Sequence, residues 1–216
     1  MRRVFEHEPL SAMSVTRVTL HDKRYYECPT GTYQSVTTII GDHMGKEHLD
    51  AWRARVGEEQ ASKITTQAAN RGTAVHELCE NYLSNHEDFA RRAMPSNILT
   101  FNSIRPILDQ HIGKIYGIEH MMYSPTLKAA GTTDLIAEYD GVLSIIDFKT
   151  SLKVKKEEWI TGYFLQSTAY AMMVEEMYGI SVPQIVVIIA VDHEDAQVFV
   201  KQKDQYVDTV KDIFIR

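Results

Sequence analysis

The stretch GTTDLIAEYDGVLSIIDFKTS, residues 131–151, decides the fold. Asp140-Gly141 is a strong two-residue hairpin turn with strand-like sequence on both sides. A turn at those residues sets Asp134 directly opposite Asp147. Strand alternation then puts Lys149 on their face, with Ile136 and Ile145. Two carboxylates facing each other across paired strands lie about 5 Å apart. At an effective dielectric of about 20 their repulsion is on the order of 3 kcal/mol. A half-apolar face tolerates that poorly, and a divalent cation between them removes it, because hard cations take carboxylate oxygens as ligands. The bland arrangement turns one aspartate to solvent and lets Lys149 neutralise the other, and a bulge would shift the register.

Outward from this hairpin, strand-like runs occupy 115–123, 132–139, 142–149 and 184–191, with one long helix at about 157–178 between the last two. Upstream, residues 14–27 read as two short strands around His21-Asp22, CPTGTY as a turn, and Ser35 as the N-cap of a short helix through Thr38–Ile40. Residues 46–66, 67–84 and 97–111 read as helices. The expected architecture is α/β: a mixed sheet flanked by helices in a single domain. Residues 1–111 would form a hairpin and a mostly helical lobe, and residues 112–216 the main sheet with its helices.

The 216 residues carry 23 Lys+Arg against 29 Asp+Glu, a formal charge of -6, and are 44% hydrophobic. Apolar residues run the whole length, which excludes global disorder. The longest apolar run, Ile185–Val191, is seven residues, against roughly 20 for a membrane span. Cys28 and Cys79 are too few for a disulfide framework, a four-cysteine zinc site or a four-cysteine iron–sulfur cluster. MRRVFEHEPL is neither a secretory signal nor a transit peptide, so a reducing cytoplasm is the expected compartment. The acidic balance speaks against a protein that coats nucleic acid nonspecifically, though not against a local basic groove.

In NRGTAVHELCENYL, residues 70–83, the residues Gly72, His76 and Glu80 recur every four positions and share a stripe, while Val75, Leu78, Tyr82 and Leu83 face the core. Glycine inside a helix costs about 1 kcal/mol, so Gly72 points to a close approach by another backbone or a ligand. His76 suits a metal ion through a neutral imidazole, with Glu80 supporting it or adding a ligand. By itself the pair also reads as a surface His–Glu contact. Gln166 and Tyr170 stand four apart on the later helix, and Lys149, Lys153, Lys155 and Lys156 crowd behind the acidic pair, where they could grip phosphates or simply be solvated.

Taken in order, G-x-x-x-H-x-x-x-E, G-x-x-D, D-F-K-T and Q-x-x-x-Y resemble the PD-(D/E)XK nuclease superfamily and its RecB-type exonuclease branch. The chain is most similar to the mitochondrial genome maintenance exonuclease family, from about Tyr33 onward. YQSVTTII resembles that family's Pro-Ser-Val-Thr segment, with Gln34 where proline is usual. The absence of a recognisable presequence favours a bacterial or phage relative, and two cysteines cannot supply the cluster that some RecB-type relatives carry.

The resemblance implies a restriction-endonuclease-like core and a Mg²⁺- or Mn²⁺-dependent deoxyribonuclease without an iron–sulfur cluster, acting in DNA replication, recombination or repair. Asp134 and Asp147 would ligate the metal with His76 and the backbone carbonyl of Phe148, and Lys149 would orient the attacking water and stabilise the transition state. Glu80 and Glu119 would support these ligands or hold a second metal. Gln166, Tyr170, Thr150, Ser151, Lys153, Arg71 and Ser35 would contact DNA. Tyr33, Trp52, Arg53, Arg55 and Arg71 suit a roof that stacks bases and tracks a single strand, although Tyr33 and Trp52 read equally well as core. An exonuclease on single-stranded ends, working as a monomer, is the expected activity. A structure-specific or restriction-type endonuclease and an inactive DNA-binding module are the alternatives.

Overall fold

The computed structural model describes residues 2–21, 23–45 and 47–215. Among the described residues, eight strands form one mixed sheet: β1 (Thr16–Leu20), β2 (Lys23–Cys28), β3 (Gly31–Ser35), β4 (Ile112–Ser124), β5 (Ala129–Tyr139), β6 (Val142–Ser151), β7 (Gln184–Val191) and β8 (Gln197–Gln202). The order is β1-β2-β3-β5-β6-β7-β8, with β4 paired along β5. The α-helices among the described residues are α1 (Val36–Met44), α2 (Glu47–Val56), α3 (Glu58–Leu83), α4 (Pro95–His111), α5 (Thr161–Tyr178) and α6 (Val207–Phe214).

The β5–β6 hairpin has the register its turn demands. Asp140 and Gly141 both take positive φ, 52° and 78°, as a primed two-residue turn requires. Tyr139 pairs with Val142, and the ladder runs in step to Leu135 opposite Ile146. There it stops. Beyond Ile146, β6 stays on β7, from Asp147 opposite Val187 to Ser151 opposite Val191. The other edge of β5 carries β4, so β3 joins the edge that β6 has left, in parallel at Gln34–Ala129 and Ser35–Ala130. The sheet therefore forks between β3 and β6, and residues 131–134 of β5 line the crotch.

Two apolar layers fill the two faces. Ile136, Ile145, Val187 and Ile189 pack with α1, α5 and α6, including Phe164, Leu165, Ala169 and Met173. Leu135, Ile146, Phe148 and Ile188 pack with α3 and α4, including Val75, Leu78, Tyr82 and Leu83 as their spacing requires. Burying an aliphatic or aromatic side chain contributes about 1.5–3 kcal/mol, so alternating residues tie β5 and β6 to helices on both sides.

The expectations from sequence need several corrections. CPTGTY is not only a turn, because Gly31–Ser35 forms β3. The helix break expected near residue 66 lies at Gly57, whose φ of 83° suits glycine. The helix expected from residue 157 opens with a short 3-10 turn, Glu157–Trp159, and becomes α5 at Thr161. β8 and α6 lie beyond the elements expected from sequence. Of the expected hairpin loop His21-Asp22, Asp22 lies outside the described residues.

Candidate active site

The fork collects the acidic pair. Asp134 Oδ2 accepts the Phe148 N–H at 2.8 Å, which satisfies that amide where the β5–β6 ladder ends. Asp134 Oδ1 lies 3.4 Å from Nδ1 of His76, delivered by α3. Asp147 is 3% exposed. Its Oδ1 accepts the Gln166 side-chain N–H at 3.0 Å from α5, and its Oδ2 meets the Lys149 ammonium. That ammonium also sits 5.0 Å from the centre of the Tyr163 ring, a favourable placement for a cation.

These neighbours set the charges. Burial raises the Asp147 carboxyl to about 6, against the pull of Lys149 and with Asp134 adding to the rise. Asp134 is also buried, but the hydrogen bond and charge of His76, with Lys149 and the Phe148 N–H, hold it below the usual range. Burial lowers the basicity of Lys149, and the Asp147 and Asp134 charges more than restore it, so it stays a cation. His76 is raised for the same reason, with Asp134 outweighing burial.

Glu119 completes the group. It sits on β4 between the pairs Ile118–Leu135 and His120–Thr133, which puts it across from Asp134. Its φ of 45° is left-handed, a conformation that costs a non-glycine residue of order 1 kcal/mol and gathers at functional sites. Its side chain reaches solvent at the cleft mouth. The protein around its carboxyl, and next the Asp134 charge, still raise it to about 7. His76, Glu119 and Asp134 each offer one ligand atom, all within 4.8 Å of one another. Two carboxylates and an imidazole form a donor set that fits a divalent cation. Phe148 enters this arrangement through its N–H, and Asp147 has both oxygens engaged by Gln166 and Lys149.

The group opens into a cleft of about 810 Å³, lined by Gly72, His76 and Glu80 of α3, Gln166 and Tyr170 of α5, and Lys149. The glycine stripe is therefore an open wall: a Cβ on Gly72 would meet only Thr150 Oγ1, at 3.8 Å, and no backbone approaches it. The tight glycine is Gly131, where a Cβ would fall 2.6 Å from the Tyr170 hydroxyl. Tyr170 is 3% exposed, more deeply seated than its motif implied.

Other expected DNA contacts lie elsewhere. Ser35 is buried, and its Oγ accepts the Thr38 N–H at 3.1 Å as a helix cap. Ser151 closes a turn by donating to the Lys153 carbonyl at 2.6 Å, and Lys153 points to solvent. Arg71 faces Asp192 at 3.9 Å. Arg53 pairs with Glu58 at 3.2 Å, and Tyr33 stacks on Tyr123 with ring centres 6.2 Å apart. None of these six lines the cleft. Arg17 and Arg24 do, although nothing in their local sequence marks them.

Comparison with known proteins bears on this geometry. No family model matches the chain. Mitochondrial genome maintenance exonuclease 1 of Homo sapiens is 32% identical over 145 residues, covering 62% of this chain and 39% of that protein. Its Mus musculus counterpart is 31% identical over 128 residues, covering 56% of this chain and 38% of its own. A solved structure of a candidate exonuclease from Eubacterium rectale gives a TM-score of 0.43 at 15% identity over 69% of this chain and 64% of its own, too loose a likeness to carry an argument. The chain thus aligns with about two fifths of the length of the curated relatives it matches. Across that shared part, this chain is related to the nucleases represented by mitochondrial genome maintenance exonuclease 1.

Proposed function

We propose that this chain is a divalent-metal-dependent deoxyribonuclease that removes nucleotides from the ends of single-stranded DNA. The observation that carries the reading is the convergence of His76, Glu119 and Asp134 within 4.8 Å, beside a lysine, in the lining of an open cleft. The sequence relationship to exonucleases supports the same chemistry. His76, Glu119 and Asp134 would hold Mg²⁺ or Mn²⁺, with Asp147 beside them. When bound, such an ion polarises a phosphate and makes a bound water acidic. Lys149, kept cationic by Asp147, stabilises the charge that develops on the phosphate oxygens during attack. Gln166 fixes Asp147, and so holds the lysine in place. Tyr170, buried in the cleft lining, packs over Gly131 and backs the cleft from within the core. Such an activity would suit a role in DNA replication, recombination or repair.

The test uses purified chain with Mg²⁺ or Mn²⁺ on linear single-stranded DNA and on covalently closed single-stranded circles. Linear strands should shorten and circles should persist. Prompt linearisation of the circles would make the enzyme an endonuclease, and no hydrolysis of either would leave a binding module. No helix among the described residues is long and apolar enough to cross a membrane.

A further inference from the structure

The N-terminal hairpin forms part of the cleft wall through Arg17, Arg24 and Tyr26. In the β1–β2 register Arg17 faces Tyr26 and Thr19 faces Arg24. Alternation therefore places both arginines on one face, diagonal to each other around the buried Tyr26. That face borders the cleft. Both arginines are exposed, and neither has a carboxylate within ion-pair distance among the described residues. This contrasts with the rest of the cleft rim, where Glu77, Glu80 and Glu119 supply negative charge. In a chain of net charge -6, two unpaired guanidinium groups at the mouth of an acidic cleft form a local anion site.

The hairpin is tied through the sheet to the strand that carries Asp134: it is bonded to β3, and β3 is bonded to β5. β2 and β1 are two and three strands from β5 in the sheet, about 10 and 14 Å at the usual strand spacing. Along a stacked strand with one phosphate every ~3.4 Å, that is about three to four phosphates.

We infer that Arg17 and Arg24 form a phosphate clamp that grips the substrate strand about three to four phosphates from the bond being cut, with Tyr26 between them. The arginines fork onto phosphate oxygens, and a strand running from the hairpin toward Asp134 approaches the site from the side opposite in charge to Glu77 and Glu80 of α3. This rests on the nuclease reading above, because the clamp's purpose is to deliver a strand to that site.

The experiment compares this 216-residue chain with its Arg17→Gln/Arg24→Gln variant. A matched variant, Arg91→Gln/Lys211→Gln, removes the same charge at exposed positions outside the cleft. Binding of a fluorescent 20-nucleotide single strand is measured in EDTA over a salt series, and hydrolysis is measured with Mn²⁺. The clamp variant should keep its melting temperature, lower the slope of log affinity against log salt by about 1.4 (~0.7 per phosphate contact on a single strand), and raise KM at least tenfold. The matched variant should change the slope far less. A clamp variant with wild-type slope and KM would overturn the inference while leaving the nuclease reading intact. A wild-type chain without hydrolysis, whose DNA binding still depends on Arg17 and Arg24, would overturn the nuclease reading and leave the clamp.

Discussion

Glu119 of β4 lies across the ladder from Asp134 of β5, in the step between Ile118–Leu135 and His120–Thr133. With Asp147 on β6, three successive strands of the sheet each bring one carboxyl to the fork. Lys149 and His76 offset part of that crowding at Asp147 and Asp134, and the rest shows as a raised proton affinity of Glu119 and Asp147.

A pH dependence follows. Glu119 sits at about 7 in the fold, and 4.5 is the ordinary value for its carboxyl. Between those values the folded chain keeps a proton that the unfolded chain has released, so stability falls as pH rises. The contribution is full below about 4.5 and is lost as pH passes about 7. Asp147, raised to about 6, acts in the same direction. In EDTA the melting temperature should therefore decline from pH 5 to 8, and Glu119→Gln should decline less. Parallel curves for the two proteins would show that Glu119 does not share the crowding.

Metal binding is the second expectation. Calorimetry with Mn²⁺ should show saturable binding that Asp134→Ala abolishes and that His76→Ala and Glu119→Ala each weaken at least tenfold. Titration in buffers of different ionisation enthalpy should reveal proton release near neutral pH, because the ligands must lose their protons to bind. An Asp134→Ala protein that binds Mn²⁺ like the wild type would remove the assignment of this cluster.

Much of this site is legible in the amino-acid sequence. Asp140-Gly141 fixes the turn and the register as far as Leu135 opposite Ile146, but the expected direct facing of Asp134 and Asp147 is not reached, because the ladder ends there and β6 stays on β7. The four-residue period of Gly72, His76 and Glu80 does put that stripe in the cleft wall. What is not legible depends on partners distant in the chain. The fork exists because Gln34 and Ser35 pair with Ala129 and Ala130, and no local pattern announces a parallel pairing across that separation. Glu119 stands out in sequence without a settled role, since its position opposite Asp134 comes from the register of β4, which shifts near Ile115 and Gly117. Arg17 and Arg24 look like ordinary exposed hairpin residues until β3 carries them to the cleft. Ser35 and Ser151 illustrate the opposite error: small hydroxyl residues near a site are as often used to cap helices and close turns.

Lys149 should act on the transition state and not on binding. Its ammonium is fixed by Asp147, which Gln166 holds in turn. Lys149→Ala should lower kcat at least a hundredfold, with single-strand affinity within about threefold of wild type. Gln166→Ala should give a smaller loss, because Asp147 remains but is less firmly placed. Rapid-quench single-turnover rates, measured alongside equilibrium binding, separate the two quantities. A Lys149→Ala enzyme with near-normal single-turnover rates would refute the role.

Gly131 supplies the most local prediction. It is buried on β5 beside the fork, and a Cβ there would lie 2.6 Å from the Tyr170 hydroxyl and 2.8 Å from its ring carbon Cε1. Tyr170 is itself packed among α5 and sheet residues, so its ring has little room to retreat. Overpacking of this kind typically costs about 1–3 kcal/mol. Gly131→Ala should lower the unfolding free energy by that amount and reduce nuclease turnover as the tyrosine leaves its place in the cleft. If the collision is the cause, Tyr170→Ala should make room, and Gly131→Ala should then cost about 0.5–3 kcal/mol less than in the wild type, the coupling that residues in contact show. Denaturant unfolding of the four proteins closes the cycle. An equal cost of Gly131→Ala with and without the Tyr170 side chain would mean that the glycine serves the backbone and not the aromatic wall.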